Sequence, residues 1–489
     1  MAGDNNSKNS SNKEPLLKNH RYHENCPGCK VDQAKEMYQG MPIKNLLNVW
    51  ILTLSTVLPI SCLFPFLYFM VRDFGIAKTE ADISTYAGYV GFSFPFARSL
   101  TSLPWGMIAD RYGRKYAIVT GLASVVVFNT LFGLSTTLWM AIGTRLILGC
   151  LNASLGPIKA YATELFREEH QAIGLSSVSA AWGLGLVIGP AIGGYLSQPV
   201  EKYPHVFPKG SLFDKFPYFL PCFVISAFAL AVLVGCIWLP ETLHKHDVSD
   251  ESNEDAEALE NEITGKILQK DESLLLNWPF MSVLISYCIF SLYDVAYSEV
   301  FSLWAVSPQK LGGLNYATNN VGNVLSISGF SMLIFQILLY PLLEKVYGAV
   351  GLARISAVMC IPILQSHPFI ALLSGFTRDL LITIASVLMY CLTATILTGL
   401  FIMQNRAVEQ HQRGLANGIA MTGMSLFKSF GPAGGGAILS WSQKRLDASF
   451  LPGPHMVFFV LNLIAALGVL MLFKPFLVER KETPSEQLQ

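Results

Sequence analysis

Charge is scarce in this chain. Only 14% of its 489 residues are Asp, Glu, Lys or Arg, where soluble domains carry about 25%. The acidic and basic residues cancel at 34 each, so the composition points to no nucleic-acid partner. Paired cysteines are scarce too. Most of the nine Cys stand singly in or beside apolar blocks (Cys62, Cys150, Cys222, Cys236, Cys288, Cys360, Cys391). Such residues serve as small packing groups rather than a disulfide framework. The sequence holds no nucleotide loop, no H-E-x-x-H and no nucleophile elbow. An enzyme is therefore not expected, and no cofactor is implied. The first 45 residues are polar and lack the apolar stretch of a cleavable signal.

What the chain has in abundance is apolar length. Leu46 to Phe69 runs without one charge, and about 20 such residues cross a bilayer core. Blocks of this kind recur at 46–70, 84–108, 116–135, 138–163, 172–197, 217–239, 279–304, 321–344, 352–373, 379–403, 414–440 and 455–477. The expected fold is therefore an all-α integral membrane protein of 12 transmembrane helices. A tail, 1–45, precedes a six-helix half, 46–239. The segment 240–278 is rich in Asp and Glu and reads as a solvated linker. A second six-helix half, 279–477, and a short tail, 478–489, follow. Lys and Arg concentrate on the side of the tails and linker, about 21 against about nine opposite, which places both termini in the cytoplasm.

The halves echo each other. "GPAIGG", Gly189 to Gly194, lies late in the fifth block, and "GPAGGG", Gly431 to Gly436, lies in the eleventh. Two six-helix halves related as parallel repeats are a transporter plan with substrate held near the midplane.

The loop after the second block reads "GMIADRYGRK", Gly106 to Lys115. It resembles the G-x-x-x-D-R-x-G-R-[KR] loop of the major facilitator superfamily. Gly106 suits a close helix approach. Asp110 suits the positive end of a neighbouring helix, which the resemblance makes the eleventh. Gly113 permits a tight turn, and Arg114 offers a fork to carboxylates. With Arg111 these residues form the expected gating latch. "PLLEKVYG", Pro341 to Gly348, is a degraded copy whose Glu344 and Lys345 suit a weaker latch. In the fifth block, Ser176, Gly185, Gly189, Pro190, Gly193 and Gly194 resemble the signature of the superfamily's proton-coupled antiporters, which implies a hinge or seal.

Ionisable residues at membrane depth are costly and mark function by default. Six stand out: Arg98, Arg145, Lys159, Asp294, Glu299 and Lys428. By the resemblance, the first, fourth, seventh and tenth spans line a cavity, which would set Arg145 against Asp294. Asp294 is the first choice for a proton carrier and Glu299 the second. Pro59, Pro65 and Gly156-Pro157 interrupt the cavity-lining spans and suit broken or kinked helices.

Two short motifs narrow the family. The tail carries "HRYHENCPGC", His20 to Cys29, and "PETLHKH", Pro240 to His246, follows the sixth block. Together with "FPFLYFMVRDF" (Phe64 to Phe74) and "GPIKAYATELFREEHQ" (Gly156 to Gln171) they resemble the plant zinc-induced facilitator family. The resemblance implies a proton-coupled antiporter of a small organic solute. Its cargo would be a metal chelator such as nicotianamine or a phytosiderophore, serving zinc and iron homeostasis. Alternatives are a potassium, caesium or xenobiotic antiporter, or a non-transporting metal sensor. The vacuolar membrane is expected by family association, with the plasma membrane as alternative, and a monomer in the bilayer as the working unit. His20, His23, Cys26 and Cys29, with His244 and His246, are candidates for a regulatory zinc contact.

Overall fold

The computed structural model describes residues 26–37, 42–152, 154–243, 276–408 and 413–478. Every regular element among them is a helix. A tail helix α1, Pro27–Met37, leads into α2, Ile43–Ser61, and α3, Leu67–Asp73. Then come α4, Asp82–Tyr112, α5, Arg114–Ser124 (helical on to Gly133), α6, Leu138–Leu151, α7, Leu155–Leu165, α8, Glu168–Leu196, and α9, Phe219–Gly235. After the linker follow α10, Trp278–Val306, α11, Thr318–Ile334, α12, Tyr340–Ile370, α13, Gly375–Arg406, α14, Arg413–Gln443, and α15, Pro454–Met471.

Nine helices among the described residues are long and apolar enough to cross a membrane. One of these, Thr318–Ile370, holds two segments that meet at Gly348, whose φ of 67° and ψ of 161° break the helix. Gly113 breaks the chain between α4 and α5 in the same way, with φ 116° and ψ 152°. The two loops thus share a backbone device that only glycine adopts without strain. Arg114 of the first loop is ion-paired, whereas among the described residues no ion pair of Glu344 or Lys345 is recorded.

Helices suit this environment because lipid offers no partner to a backbone N–H or C=O. Buried hydroxyls follow the same logic. Thr53 donates to the Val49 carbonyl and Thr393 to that of Met389, both at 2.8 Å, and Ser286 donates to Ser282 at 2.9 Å. Large apolar side chains such as Leu103, Met107, Ile337 and Val346 point outward and are more than 60% exposed. Water would penalise that surface, whereas lipid does not.

Glycine decides which helices touch. On α8, a Cβ at Gly189 would collide with Ser61 Oγ, and one at Gly193 with the Cys62 carbonyl, so these glycines seat α8 on α2. Ser61 Oγ donates to the Gly185 carbonyl at 2.8 Å across the same contact. Gly194 faces the other way, where a Cβ would lie 2.8 Å from the Thr318 carbonyl and 2.9 Å from Gly322 of α11. The second half repeats the scheme. Gly431 and Gly435 seat α14 on Val295, Ala296 and Val300 of α10, while Gly436 abuts Ser84 and Gly88 of α4. One sequence motif therefore makes both the packing within each half and the seam between halves.

Polar ties across that seam cluster at the ends away from the termini, the outer ends. Tyr195 Oη donates to Asn323 at 2.6 Å, and Ser326 Oγ to the Val187 carbonyl at 2.8 Å. Lys202 Nζ reaches both the Gly194 carbonyl and Thr318 Oγ1. Lys310 pairs with Glu80 at 2.8 Å, and Lys444 pairs with Asp82.

Candidate functional site

The first span is broken as its prolines predicted. Helix α2 stops at Ser61, and α3 resumes at Leu67. The break frees the Pro59 carbonyl, which accepts from Arg145 Nη1 at 2.9 Å. The Arg145 guanidinium is sandwiched by the rings of Phe94 (5.1 Å) and Phe132 (5.2 Å), and its Nε has no partner. The fourth span is broken likewise, between Leu151 and Leu155.

This corrects one expectation. Arg145 does not pair with Asp294. It is held in its own half by the helix break and two aromatic faces, which satisfy a buried cation without a carboxylate. The cation at Asp294 is Lys428, with Nζ 3.7 Å from Oδ2. Both side chains stay about 30% exposed (31% and 29%) at a depth where lipid contact would be prohibitive. A polar space between the halves therefore reaches them. Arg98 of α4 and Lys159 of α7 are half-buried, and the charges of Arg98 and Lys428 both act on Lys159. Three cations and one carboxylate thus gather inward of the closed outer seam.

Glu299 does not lie at an open outer mouth. It is buried, with 1% exposed, in the seam between α4, α10 and α14.

A family model described as the Major Facilitator Superfamily matches residues 49–364. The chain belongs to that superfamily. It is 56% identical over 476 residues to Protein ZINC INDUCED FACILITATOR 1 of Arabidopsis thaliana, covering 95% of this chain and 98% of that one. Protein ZINC INDUCED FACILITATOR-LIKE 1 of the same plant is 55% identical over 465 residues, covering 94% and 97%. Among solved structures, a D-xylose–proton symporter superposes with a TM-score of 0.68 at 14% identity, covering 90% of this chain and 99% of that one. An inward-facing bacterial homologue of the lysosomal transporter Spinster gives 0.67 at 12%, covering 88% and 95%. At such identities these two establish the fold alone. The chain is a multi-pass membrane transporter of the zinc-induced facilitator family, and not an enzyme.

The facilitator's loop motif is organised by residues that sequence spacing did not single out. Arg114 pairs with Asp110 and, at 2.9 Å, with Glu164. Burial opposes the Arg114 charge, and the hydrogen bonds of Glu164 and Asp110 offset that cost. The Glu241 carboxylate accepts from the backbone N–H groups of Arg114 (3.0 Å), Lys115 (3.1 Å), Thr242 (2.9 Å) and Leu243 (3.2 Å). It therefore neutralises the positive N-terminus of α5. Thr242 Oγ1 donates to Glu164, and Lys115 Nζ donates to the Leu239 carbonyl at 2.8 Å. The strap Pro240–Thr242 thus ties the linker's first residues to the α4–α5 loop.

The other motif residues lie as follows. Asp110 is 70% exposed and meets Arg114 in this state, with no recorded contact to the eleventh span among the described residues. Gly106 has no neighbour within 4 Å of a would-be Cβ, so it serves no close helix approach here. Arg111 lies over the Tyr112 ring at 5.7 Å. Ser176 is exposed on α8. Glu164 and Glu241 were visible in the sequence only within the family's "ATELF" and "PETLHKH" stretches. Nothing in their spacing linked them to Arg114.

The strap can be tested by substitution. Glu241→Ala removes a helix N-terminal acceptor of a kind worth about 0.5–2 kcal/mol. A lower thermal midpoint of the detergent-purified chain is expected. An unchanged midpoint would show that water replaces the carboxylate at no cost.

The tail motif docks rather than standing apart. Cys26 and Cys29 are buried (1% and 6%), Val31 joins the core of the first half, and the Gly28 N–H donates to the Leu243 carbonyl at 3.3 Å. Among the described residues no group of three metal-ligating side chains forms. His20, His23, His244 and His246 lie outside the described residues, as does most of the linker.

Proposed function

We propose that this facilitator is a proton-coupled antiporter that exports a small carboxylate-bearing solute from the cytosol. The favoured cargo is a metal chelator such as nicotianamine or a phytosiderophore, free or metal-loaded. The reading takes twelve spans in two six-helix halves, with both termini in the cytosol and the vacuolar membrane as the site of action. The ends that bear the termini are then the cytosolic ends, and the outer seam faces the vacuole.

The observation that carries this reading is the Asp294–Lys428 pair at 3.7 Å, partly open to the space between the halves, with Lys159 within the field of both Lys428 and Arg98. Three cations offer anchoring points for a cargo with several carboxylates. One carboxylate, Asp294, can exchange a proton as Lys428 is engaged or released by that cargo. The names of the Arabidopsis relatives favour a cargo tied to zinc. The structure similar to a proton symporter shares the fold, and proton coupling is taken from the Asp294 geometry instead.

Purified protein in sealed proteoliposomes, acidic inside, tests the reading. Nicotianamine, its zinc complex, free zinc and potassium are offered outside. Accumulation of nicotianamine or its zinc complex that collapses with a protonophore is expected. Accumulation of potassium alone would replace the chelator by the monovalent-cation alternative.

A further inference from the structure

Glu299 is a carboxylate in an unusual place. It stands on α10, five residues outward of Asp294, and its Oε1 has no hydrogen-bond partner. Two helices close over it. A Cβ on Gly91 of α4 would lie 3.2 and 3.3 Å from the two carboxylate oxygens and 2.9 Å from Pro432 of α14. The carboxyl group therefore fills the notch that Gly91 leaves, in the seam that joins the halves. One turn outward on the same helices, Gly88 meets Pro432 and Gly436.

No charged group around it makes a direct contact among the described residues. On α6, Arg145 acts on Glu299 through its field only: its Nη1 donates to the Pro59 carbonyl and its Nε has no partner. On α14, Lys428 lies four residues before Pro432 and pairs with Asp294. On α4, Arg98 lies seven residues inward of Gly91. No ion pair to Glu299 is recorded among the described residues. An ionised carboxylate without a direct partner costs several kcal/mol in such a site, whereas a neutral carboxyl does not.

We propose that Glu299 is the proton site of the outer seal: the seam of α4, α10 and α14 closes over the neutral carboxyl and opens when it ionises. A proton from the acidic side then favours the inward-open form. Its loss favours reopening to the outside. The inference rests on the proton-coupled reading above and adds a second carboxylate to it. Asp294 faces the cargo, and Glu299 sets which side is open.

Two other charged groups tie the outer ends, and only one of them keeps its charge unchanged between pH 5.5 and 7.5. Lys444 and Thr79 hold the Asp82 carboxyl below its ordinary value, so that tie is complete above about 3.9 and is lost only as pH falls further. Burial pulls the Lys202 ammonium down to about 8, so it is fully protonated at pH 5.5 and begins to lose its proton towards pH 7.5, in the chain with Glu299 and in Glu299→Gln alike.

The test reads the seal directly and needs neither cargo nor gradient, so a wrong cargo or a silent Asp294 leaves it decisive. Ser84 is fully buried against Gly436. The full chain carrying Ser84→Cys is placed in lipid nanodiscs and labelled with a maleimide at pH 5.5 and 7.5. Rates are taken in excess of the chain without that substitution and normalised to Lys209→Cys in an exposed loop. The normalised rate is expected to rise at least about fivefold with pH, the lower end of ordinary conformational coupling. Adding Glu299→Gln is expected to hold it low at both pH values. Glu299→Asp, which keeps a titrating group, is expected to retain the rise. A pH response that survives Glu299→Gln overturns the proposal. Should that variant not assemble, a flat response in the chain with native Glu299 overturns it equally.

Discussion

Asp294→Asn is expected to reduce pH-gradient-driven accumulation to the level of protein-free vesicles. The substitution keeps the shape of the side chain and its place beside Lys428, 3.7 Å away. It removes the only part a proton carrier needs, a group that can be charged or neutral. Exchange of labelled for unlabelled cargo without a gradient should persist, because Arg98, Lys159 and Lys428 still face the shared space. The two assays on one preparation separate coupling from binding. Full gradient-driven accumulation by Asp294→Asn would remove Asp294 from the proton path. Loss of both activities would make it a cargo ligand instead.

Adjacent glycines in one motif are expected to behave differently. Gly193 seats α8 on α2 inside one half, where a Cβ would strike the Cys62 carbonyl. Overpacking of this kind costs about 1–3 kcal/mol, so Gly193→Ala should lower the yield and thermal midpoint of folded protein. Gly194 and Gly436 face the opposite half instead. Ala at either position should wedge the outer seam while leaving each half intact. A bias of about 1–3 kcal/mol shifts the balance of two states by about five- to 150-fold. These variants should therefore melt normally, label faster at Ser84→Cys, and transport poorly. Equal melting losses for all three would mean that the seam is part of the rigid core rather than a gate. Because the contacts repeat, Gly194→Ala and Gly436→Ala should act in the same direction.

Mirror glycines were legible in the sequence because small residues and proline in the same order, at the same place in each half, leave few structural uses. Long uncharged runs were legible for a similar reason. Lipid leaves the backbone no alternative to helix, so length and hydropathy suffice to mark the elements. The prolines that broke the first span, the turn at Gly113 and the family itself were likewise open to reading, since each depends on residues close in sequence.

Pairing of charges was not legible. The resemblance sets Arg145 and Asp294 on facing spans. The structure gives Arg145 to the Pro59 carbonyl and two aromatic rings, and gives Asp294 to Lys428. Around the α4–α5 loop, Arg114, Asp110, Glu164 and Glu241 form a local network that spacing did not announce. A charge takes whichever partner folding brings within a few ångströms, and residues 50 or 127 positions apart leave no periodic trace of that meeting. The sequence by itself determined a helical membrane protein of repeated halves and the family to which it belongs. Only the tertiary structure decided which buried charges are paired and that Glu299 is left to the seam, because those depend on how helices rotate about their axes, and no hydropathy pattern records that rotation.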